Sequence, residues 1–202
     1  MAAALRTGIF GGTFDPVHNA HLEIARGALE AAHLDRVLLM PVGEPAHRQT
    51  HAPAADRAAM VRLALLGGDP RLQFDATALE QPGPVYTADT LAIVHATYPH
   101  DTLFFIAGAD SLAATVWRRL DEVANLVERF YVVPRRGSTW SDVAGVIGDL
   151  KPESKGRFAA LELKTVDISA SDIRKRIKAG ESIAGLVPDL VARYIAQHGL
   201  YN

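Results

Sequence analysis

Gly8-Ile9-Phe10-Gly11-Gly12-Thr13-Phe14-Asp15-Pro16-Val17-His18-Asn19-Ala20-His21-Leu22 joins an apolar run, a glycine pair and two histidines in one short stretch. Leu5 to Phe10 reads as a short buried strand. Gly11-Gly12 then predicts a sharp backbone turn that leaves N–H groups bare for an approaching anion. His18 and His21 are three residues apart. In a helix that begins near Val17 or His18, both imidazoles lie on one face, close to the helix's positive end. Strand, glycine turn and helix start together outline a phosphate site.

No lysine follows these glycines as in a G-x-x-x-x-G-K-[ST] loop, and their spacing is not G-x-G-x-x-G, so neither a P-loop ATPase nor a nicotinamide dehydrogenase is indicated. A zinc site on His18 and His21 lacks a cysteine or a third ligand at convincing spacing. Taken singly, a Gly-Gly turn is an ordinary strand-to-helix connection, and a histidine pair is an ordinary half-exposed helix face. The joint string with Thr13, Asp15 and Pro16 carries more than its parts.

The 202 residues are enough for a well-buried core and fit one α/β domain over 1–202. Lys plus Arg number 21 against 23 Asp plus Glu, a net charge of −2, which supplies no basic footprint for nucleic acid or an anionic membrane. There is no cysteine, so disulfides and thiolate chemistry are excluded. No signal peptide and no apolar run of about 18 residues is visible. The expectation is a cytoplasmic soluble protein with no nucleic-acid and no membrane partner; homo-oligomerisation stays open.

Gly-Gly-Thr-Phe-Asp-Pro followed by His-x-x-His resembles the signature of the nucleotidylyltransferase superfamily, whose members transfer a nucleoside monophosphate from a triphosphate to a phosphate acceptor. The family usually has glycine where this chain has Ala20. The resemblance implies that Gly11, Gly12, Thr13, His18 and His21 meet ATP, and that Thr13 and Phe14 also border the acceptor.

Further along, Ala20 to Ala32 has helical spacing and Arg36 to Pro41 reads as a second strand, completing a β-α-β unit. Pro41 to Arg48 is a proline-broken loop at that strand's carboxyl end, a usual place for ligands in an open parallel sheet. Its end resembles the Pro-Pro-His-Lys/Arg loop of bacterial nicotinate-mononucleotide adenylyltransferases, with Ala46 for one proline, which implies His47 and Arg48 at the mononucleotide. Read alone it is a solvated loop. Pro53 to Leu66 predicts a helix stopped by Gly67-Gly68, and Leu72 to Ala76 a third strand. Thr87 suits an N-cap, with Asp89 and Thr90 in the first turn of a helix to about Thr97. This segment resembles the family's Gly-Pro-Ser-Tyr-Thr-x-Asp-Thr-Leu, with Val85 for serine and Gln81-Pro82 where arginine is frequent. The implied role is capture of the pyridine carboxylate at Tyr86 and Thr87 by backbone N–H groups; the plainer alternative is a capped helix.

Leu103 to Ala107 is the most strand-like run of the chain, and Asp110 follows at its carboxyl end. Gly-x-Asp-Ser-Leu with a tryptophan beyond resembles the family segment in which the aspartate takes ribose hydroxyls and the tryptophan stacks on the nicotinate ring. That implies Gly108 and Asp110 at ATP and Asp110 and Trp117 at the mononucleotide; otherwise Asp110 is a cap and Trp117 core. Phe130 to Val133 reads as a fifth strand, and the Pro134-Arg135-Arg136-Gly137 loop resembles a family loop near the nucleotide, which places Arg135 there. Ser141 to Gly156 reads only as helix and loop. In Ile168-Ser169-Ala170-Ser171-Asp172-Ile173-Arg174, Ser169 with Asp172 fits a capping box that opens a helix ending near Gly180, with Arg174 in its first turn. The string resembles the family's other ATP-binding element, implying Ile168, Ser169, Ser171 and Arg174 at ATP. A last helix is expected over roughly Pro188 to His198, and with the Gly-Leu-Tyr ending at 199–201 it also resembles the nicotinate-mononucleotide branch, so about 169–202 is a helical segment carrying the second motif.

What the resemblance implies is an α/β fold, Rossmann-like and three-layered, with a mostly parallel sheet of five or six strands. The reaction it implies joins ATP to nicotinate mononucleotide, with His18, His21 and Arg174 catalytic and Mg2+ carried by phosphate oxygens and water rather than by protein ligands. Branches that use 4′-phosphopantetheine or glycerol phosphate have different second motifs. A non-catalytic nucleotide sensor would have little use for His18, His21 and Arg174 together.

Overall fold

In this computed structural model, residues 4–45, 49–114, 117–134, 140–164 and 166–202 are described. The chain runs β1 (Arg6–Gly12), α1 (Asn19–Ala31), β2 (Arg36–Pro41), β3 (Glu44–Pro45), α2 (Ala54–Leu65), β4 (Leu72–Phe74), β5 (Pro84–Val85) and α3 (Thr87–Thr97). It continues with β6 (Thr102–Gly108), α4 (Ala109–Ala114), α5 (Leu120–Asn125), β7 (Arg129–Val133), α6 (Trp140–Gly148), α7 (Pro152–Lys155), β8 (Phe158–Ala160), α8 (Ala170–Lys178) and α9 (Asp189–His198). The main sheet has six strands in the order β4-β2-β1-β6-β7-β8, and every pairing is parallel.

The central strands are apolar beyond their first one or two residues because both sheet faces are covered. Phe10, Val37, Leu39, Phe104 and Ile106 face one layer, where they pack with α1, α2, α8 and α9. Ile9, Met40, Leu103, Phe105 and Phe130 alternate onto the other, against α3, α4, α5 and α6. Gly8 leaves room for this packing: a Cβ there would lie 2.7 Å from Leu34 Cδ1.

Two expectations shift. Gly11 and Gly12 do not turn the chain. They stay in β1, opposite Met40 and Pro41, and the Val42 N–H donates to Gly12 O at 3.0 Å, so the ladder with β2 outlasts the apolar run. The turn falls at Phe14, at φ 48, beside a cis Asp15–Pro16 peptide. Gly12 matters there by its size, because a Cβ would meet the Phe14 ring at 3.2 Å. Tyr86, not Thr87, is the N-cap of α3. The last strand, β8, comes from Phe158–Ala160, a run too short to show a period.

Two short strands also pair where only loops were expected. Glu44–Pro45 lies parallel to Pro84–Val85, and the Gly43 N–H donates to Ala78 O at 3.2 Å, fastening the loop after β2 to the approach to α3.

Candidate active site

β1 and β6 are adjacent at the point where the strand order reverses, the position at which open parallel sheets bind ligands beyond their carboxyl ends. Phe10 is paired with Ile106, so the segments after Gly12 and after Gly108 leave the sheet side by side. The first carries the histidines, and the second carries Asp110.

His18 is the N-cap of α1, in extended conformation at φ −146 and ψ 171, and is 1 % exposed. Its ring stacks on that of His21, with centroids 3.6 Å apart and planes at 22°. The His18 N–H donates to His21 Nδ1 at 3.2 Å. With Nδ1 accepting, a neutral His21 carries its proton on Nε2, leaving that N–H as the donor of the ring's far edge. The first turn of α1 holds no acidic side chain, so no carboxylate of its own offsets the helix's positive end. Asn19 ties this helix start to the loop before α9, through its N–H to Leu186 O at 2.9 Å and its Nδ2 to Gly185 O at 2.8 Å.

Behind the histidines lies a polar cluster that no single motif describes. Asp15, 5 % exposed, accepts from the His51 N–H at 2.7 Å, the Ala52 N–H at 3.1 Å and the Tyr201 hydroxyl at 2.8 Å. A buried carboxylate needs such donors to offset its desolvation. Arg57 is fully buried and gives hydrogen bonds to four carbonyls, those of Ala52, Thr13, Val42 and Gly43, at 2.6–3.1 Å. Burial lowers the Arg57 pKa, and the Asp15 carboxylate works against that. The signal for Arg57 was in its spacing: Arg57, Met60, Val61 and Ala64 form the buried stripe of α2, so a guanidinium occupies a core position and must serve backbone oxygens. Tyr201 lies in the Gly-Leu-Tyr ending that resembles the family branch, but nothing local to it says what its hydroxyl meets.

The two motifs expected at ATP meet here. Arg174 Nη1 donates to Asp15 O at 2.6 Å, across most of the chain's length. Arg174 stands in the second turn of α8, because the helix begins at Ala170. Ser169 is its N-cap and accepts from the Asp172 N–H at 3.1 Å. In place of the reciprocal backbone bond of a capping box, its hydroxyl donates to Asp172 at 2.8 Å, which holds that carboxyl below the usual range. Ser171 Oγ is 2.9 Å from Ser169 Oγ, and Ile168 is 9 % exposed at the edge of the core.

Other expected residues fall into two groups. Thr13 offers its carbonyl to Arg57, while Phe14 is 1 % exposed and edge-on to His21 at 5.0 Å, so its side chain belongs to the core. Gly108 closes β6 and Asp110 is exposed in the first turn of α4. Trp117 is half-buried, edge-on to Phe105 and Phe130, with its indole N–H on Ser111 O at 3.4 Å. Tyr86 and Thr87 stand at the start of α3, and the residues after Trp117 reach them. Arg118 lies 5.8 Å from the Tyr86 ring centroid, and Arg119 pairs with both Asp89 and Glu122. His47, Arg48 and Arg135 lie outside the described residues.

The family model described as cytidylyltransferase-like matches residues 9–176. A protein of Symbiobacterium thermophilum named "probable nicotinate-nucleotide adenylyltransferase" is 39 % identical over 199 residues, covering 97 % of this chain and 95 % of that protein. A Thermus thermophilus protein of the same name is 40 % identical over 202 residues, covering 98 % and 100 %. The structure of Plasmodium falciparum nicotinic acid mononucleotide adenylyltransferase complexed with NaAD superposes with a TM-score of 0.79 over 98 % of this chain and 97 % of that one. At 16 % identity, that likeness is one of fold.

Proposed function

The chain belongs to the cytidylyltransferase-like family, and we propose that it is a nicotinate-nucleotide adenylyltransferase, which makes nicotinate adenine dinucleotide and pyrophosphate from ATP and nicotinate mononucleotide. The observation that carries the mechanism is the meeting of the two motifs. Arg174 rests on the Asp15 carbonyl, one turn of chain from the stacked rings of His18 and His21, so cationic and N–H donors from both ends of the sequence border one place.

The 5′-phosphate of the mononucleotide attacks the α-phosphorus of ATP. A P–O bond forms as the bond to the β-phosphate's bridging oxygen breaks, and that oxygen's electron pair leaves with pyrophosphate. The attacking phosphate is already ionised near neutral pH, so no general base and no covalent enzyme intermediate is needed. Two polyanions must be held in line and the charge growing on the leaving group stabilised. His18, His21 through Nε2–H, and Arg174 take that part, with Gly11, Gly12, Thr13, Gly108, Asp110, Arg135, Ile168, Ser169 and Ser171 around ATP. The mononucleotide lies against Thr13, His47, Arg48, Tyr86, Thr87, Asp110, Trp117 and the main chain of Phe14. Its carboxylate meets the start of α3, where backbone N–H groups and the helix dipole favour an anion.

Mg2+ enters this reading with the triphosphate. Among the described residues no group of three or more His, Asp or Glu side chains is placed to hold a metal ion, so phosphate oxygens and water would have to supply its ligands, and no step above runs through it. Residues 1–202 act as one domain in this reading, with 169–202 bringing the second motif, and the setting is the cytoplasm. No described helix is long and apolar enough to cross a membrane.

Pyrophosphate release, measured with ATP and a panel of acceptors, tests the assignment. Nicotinate mononucleotide should be turned over far faster than 4′-phosphopantetheine or glycerol phosphate. Release with one of those and none with nicotinate mononucleotide would overturn it.

A further inference from the structure

We propose that Tyr201, next to the last residue of the chain, is a positioning residue for ATP: through Asp15 it holds the peptide on which the Arg174 guanidinium rests, so the C-terminal tail sets the geometry of the triphosphate site. This depends on the assignment of His18 and Arg174 to ATP.

The tail is built to deliver that hydroxyl. α9 ends at His198, Gly199 turns left-handed at φ 58, and Tyr201 itself is left-handed at φ 69. A non-glycine residue there costs on the order of 1 kcal/mol, so the surroundings must hold it. Leu200 and Tyr201 pack on the core layer of α1 and α9, the Leu200 N–H donates to Ile195 O at 3.1 Å, and the phenol reaches Asp15 at 2.8 Å. A tail needing only an anchor would have one in the packing of its two side chains.

Asp15 is the joint through which the contact acts. Its carboxylate is held by Tyr201 and by the N–H groups of His51 and Ala52, while its carbonyl takes Arg174. Among the described residues that is the one hydrogen bond Arg174 makes, and it uses Nη1, so the rest of the fork remains for a ligand. His18 follows three residues later. A rotation of the Asp15 peptide therefore moves the Arg174 rest and the cap of α1 together. Thr13 has a further hold of its own, since its carbonyl accepts from the buried Arg57. Burial, then the negative charge of Asp15 and its hydrogen bond, push the Tyr201 hydroxyl well above its ordinary pKa, so it donates throughout the working pH range.

The test compares wild type with Tyr201→Phe, which keeps the packing and removes only the donor. Affinity for a non-hydrolysable α,β-methylene analogue of ATP is measured by calorimetry, and KM for each substrate, kcat and Tm are measured alongside. Analogue affinity should fall about tenfold, the measure of one hydrogen bond to a charged group. KM for ATP should rise and kcat should fall with it, while KM for the mononucleotide stays within twofold. The same change made in an Asp15→Asn background should add little, because the route through Asp15 is already altered. A chain ending at Leu200 should reproduce the ATP defect if Asp15→Asn does not fold. Unchanged analogue affinity, equal shifts in both KM values, or a lowered Tm with unaltered kinetics would overturn the proposal. Wild type that binds the analogue but makes no dinucleotide would instead sink the assigned reaction and leave the Tyr201 result standing on its own.

Discussion

His18 is 1 % exposed and stacked on His21, so its removal tests chemistry and packing at once, and the two separate by readout. His18→Ala should lower kcat by roughly 100- to 1,000-fold at saturating ATP if the ring faces the charge developing in transfer, as loss of one preorganised donor does elsewhere. The accompanying loss of stability should stay within about 3 kcal/mol, leaving a folded protein. A kcat within a few-fold of wild type would make His18 a packing residue. Arg174→Lys keeps the charge but not the fork. An ammonium could reach either the Asp15 carbonyl or a phosphate oxygen, whereas the guanidinium reaches the carbonyl with Nη1 and has donors left over. KM for ATP and kcat should worsen together with KM for the mononucleotide nearly unchanged; near-normal steady-state kinetics would remove Arg174 from the site. Their motifs singled out both positions as candidates. What Arg57 and Tyr201 meet was not legible, because it depends on which distant carbonyl or carboxylate the fold brings to them.

Helix starts are the elements expected to meet the ligand. Among those expected to face the ligand, α8 has its serine cap as read from Ser169 and Asp172, since the hydroxyl and the N–H three residues on are a local pair. The start of α3 came out one residue earlier than Thr87 suggested, because Tyr86 caps it without any side-chain hydrogen bond; the short pairing of Pro84–Val85 with Glu44–Pro45 delivers the chain into that helix instead. A carboxylate at this start should be favoured over a carboxamide, by about a hundredfold or more in kcat/KM if it is desolvated there. Kinetics on nicotinate and nicotinamide mononucleotides check this, and equal efficiency would place the pyridine ring elsewhere. The glycines after β1 show the limit of reading one element alone. Their turn was expected from flexibility, but the ladder with β2 keeps them extended through Gly12.

Across the whole molecule, the edge of the sheet opposite the ligand side is closed by charge. Asp101 accepts from Thr7 Oγ1 at 2.6 Å, Arg36 Nη2 at 2.7 Å and the Leu5 N–H at 3.3 Å. Burial alone would raise its pKa, but these hydrogen bonds outweigh that and hold it below the usual carboxylate range. As pH falls the unfolded chain therefore takes up this proton first. The stabilisation is complete above the unfolded value of about 3.9 and is lost as pH drops through the lower folded one. Asp101→Asn should cost about 2 kcal/mol at pH 7, a fall in Tm on the order of 5 °C for a chain of this length. The gap should narrow as pH falls below about 4, whereas a gap constant down to the acid limit would assign the effect to shape rather than charge. By itself the sequence determined the β-α-β alternation, the apolar central strands and the α/β class, because hydrophobic period is local, and its resemblance to a family singled out the two motifs expected at ATP. Only the tertiary structure decided that Asp15 joins those motifs, that Arg57 gathers four carbonyls and that the tail's Tyr201 reaches back to Asp15. Each of these is a contact between residues far apart in the chain, and its energy comes from desolvated partners that exist only once the sheet and its helices have closed around them.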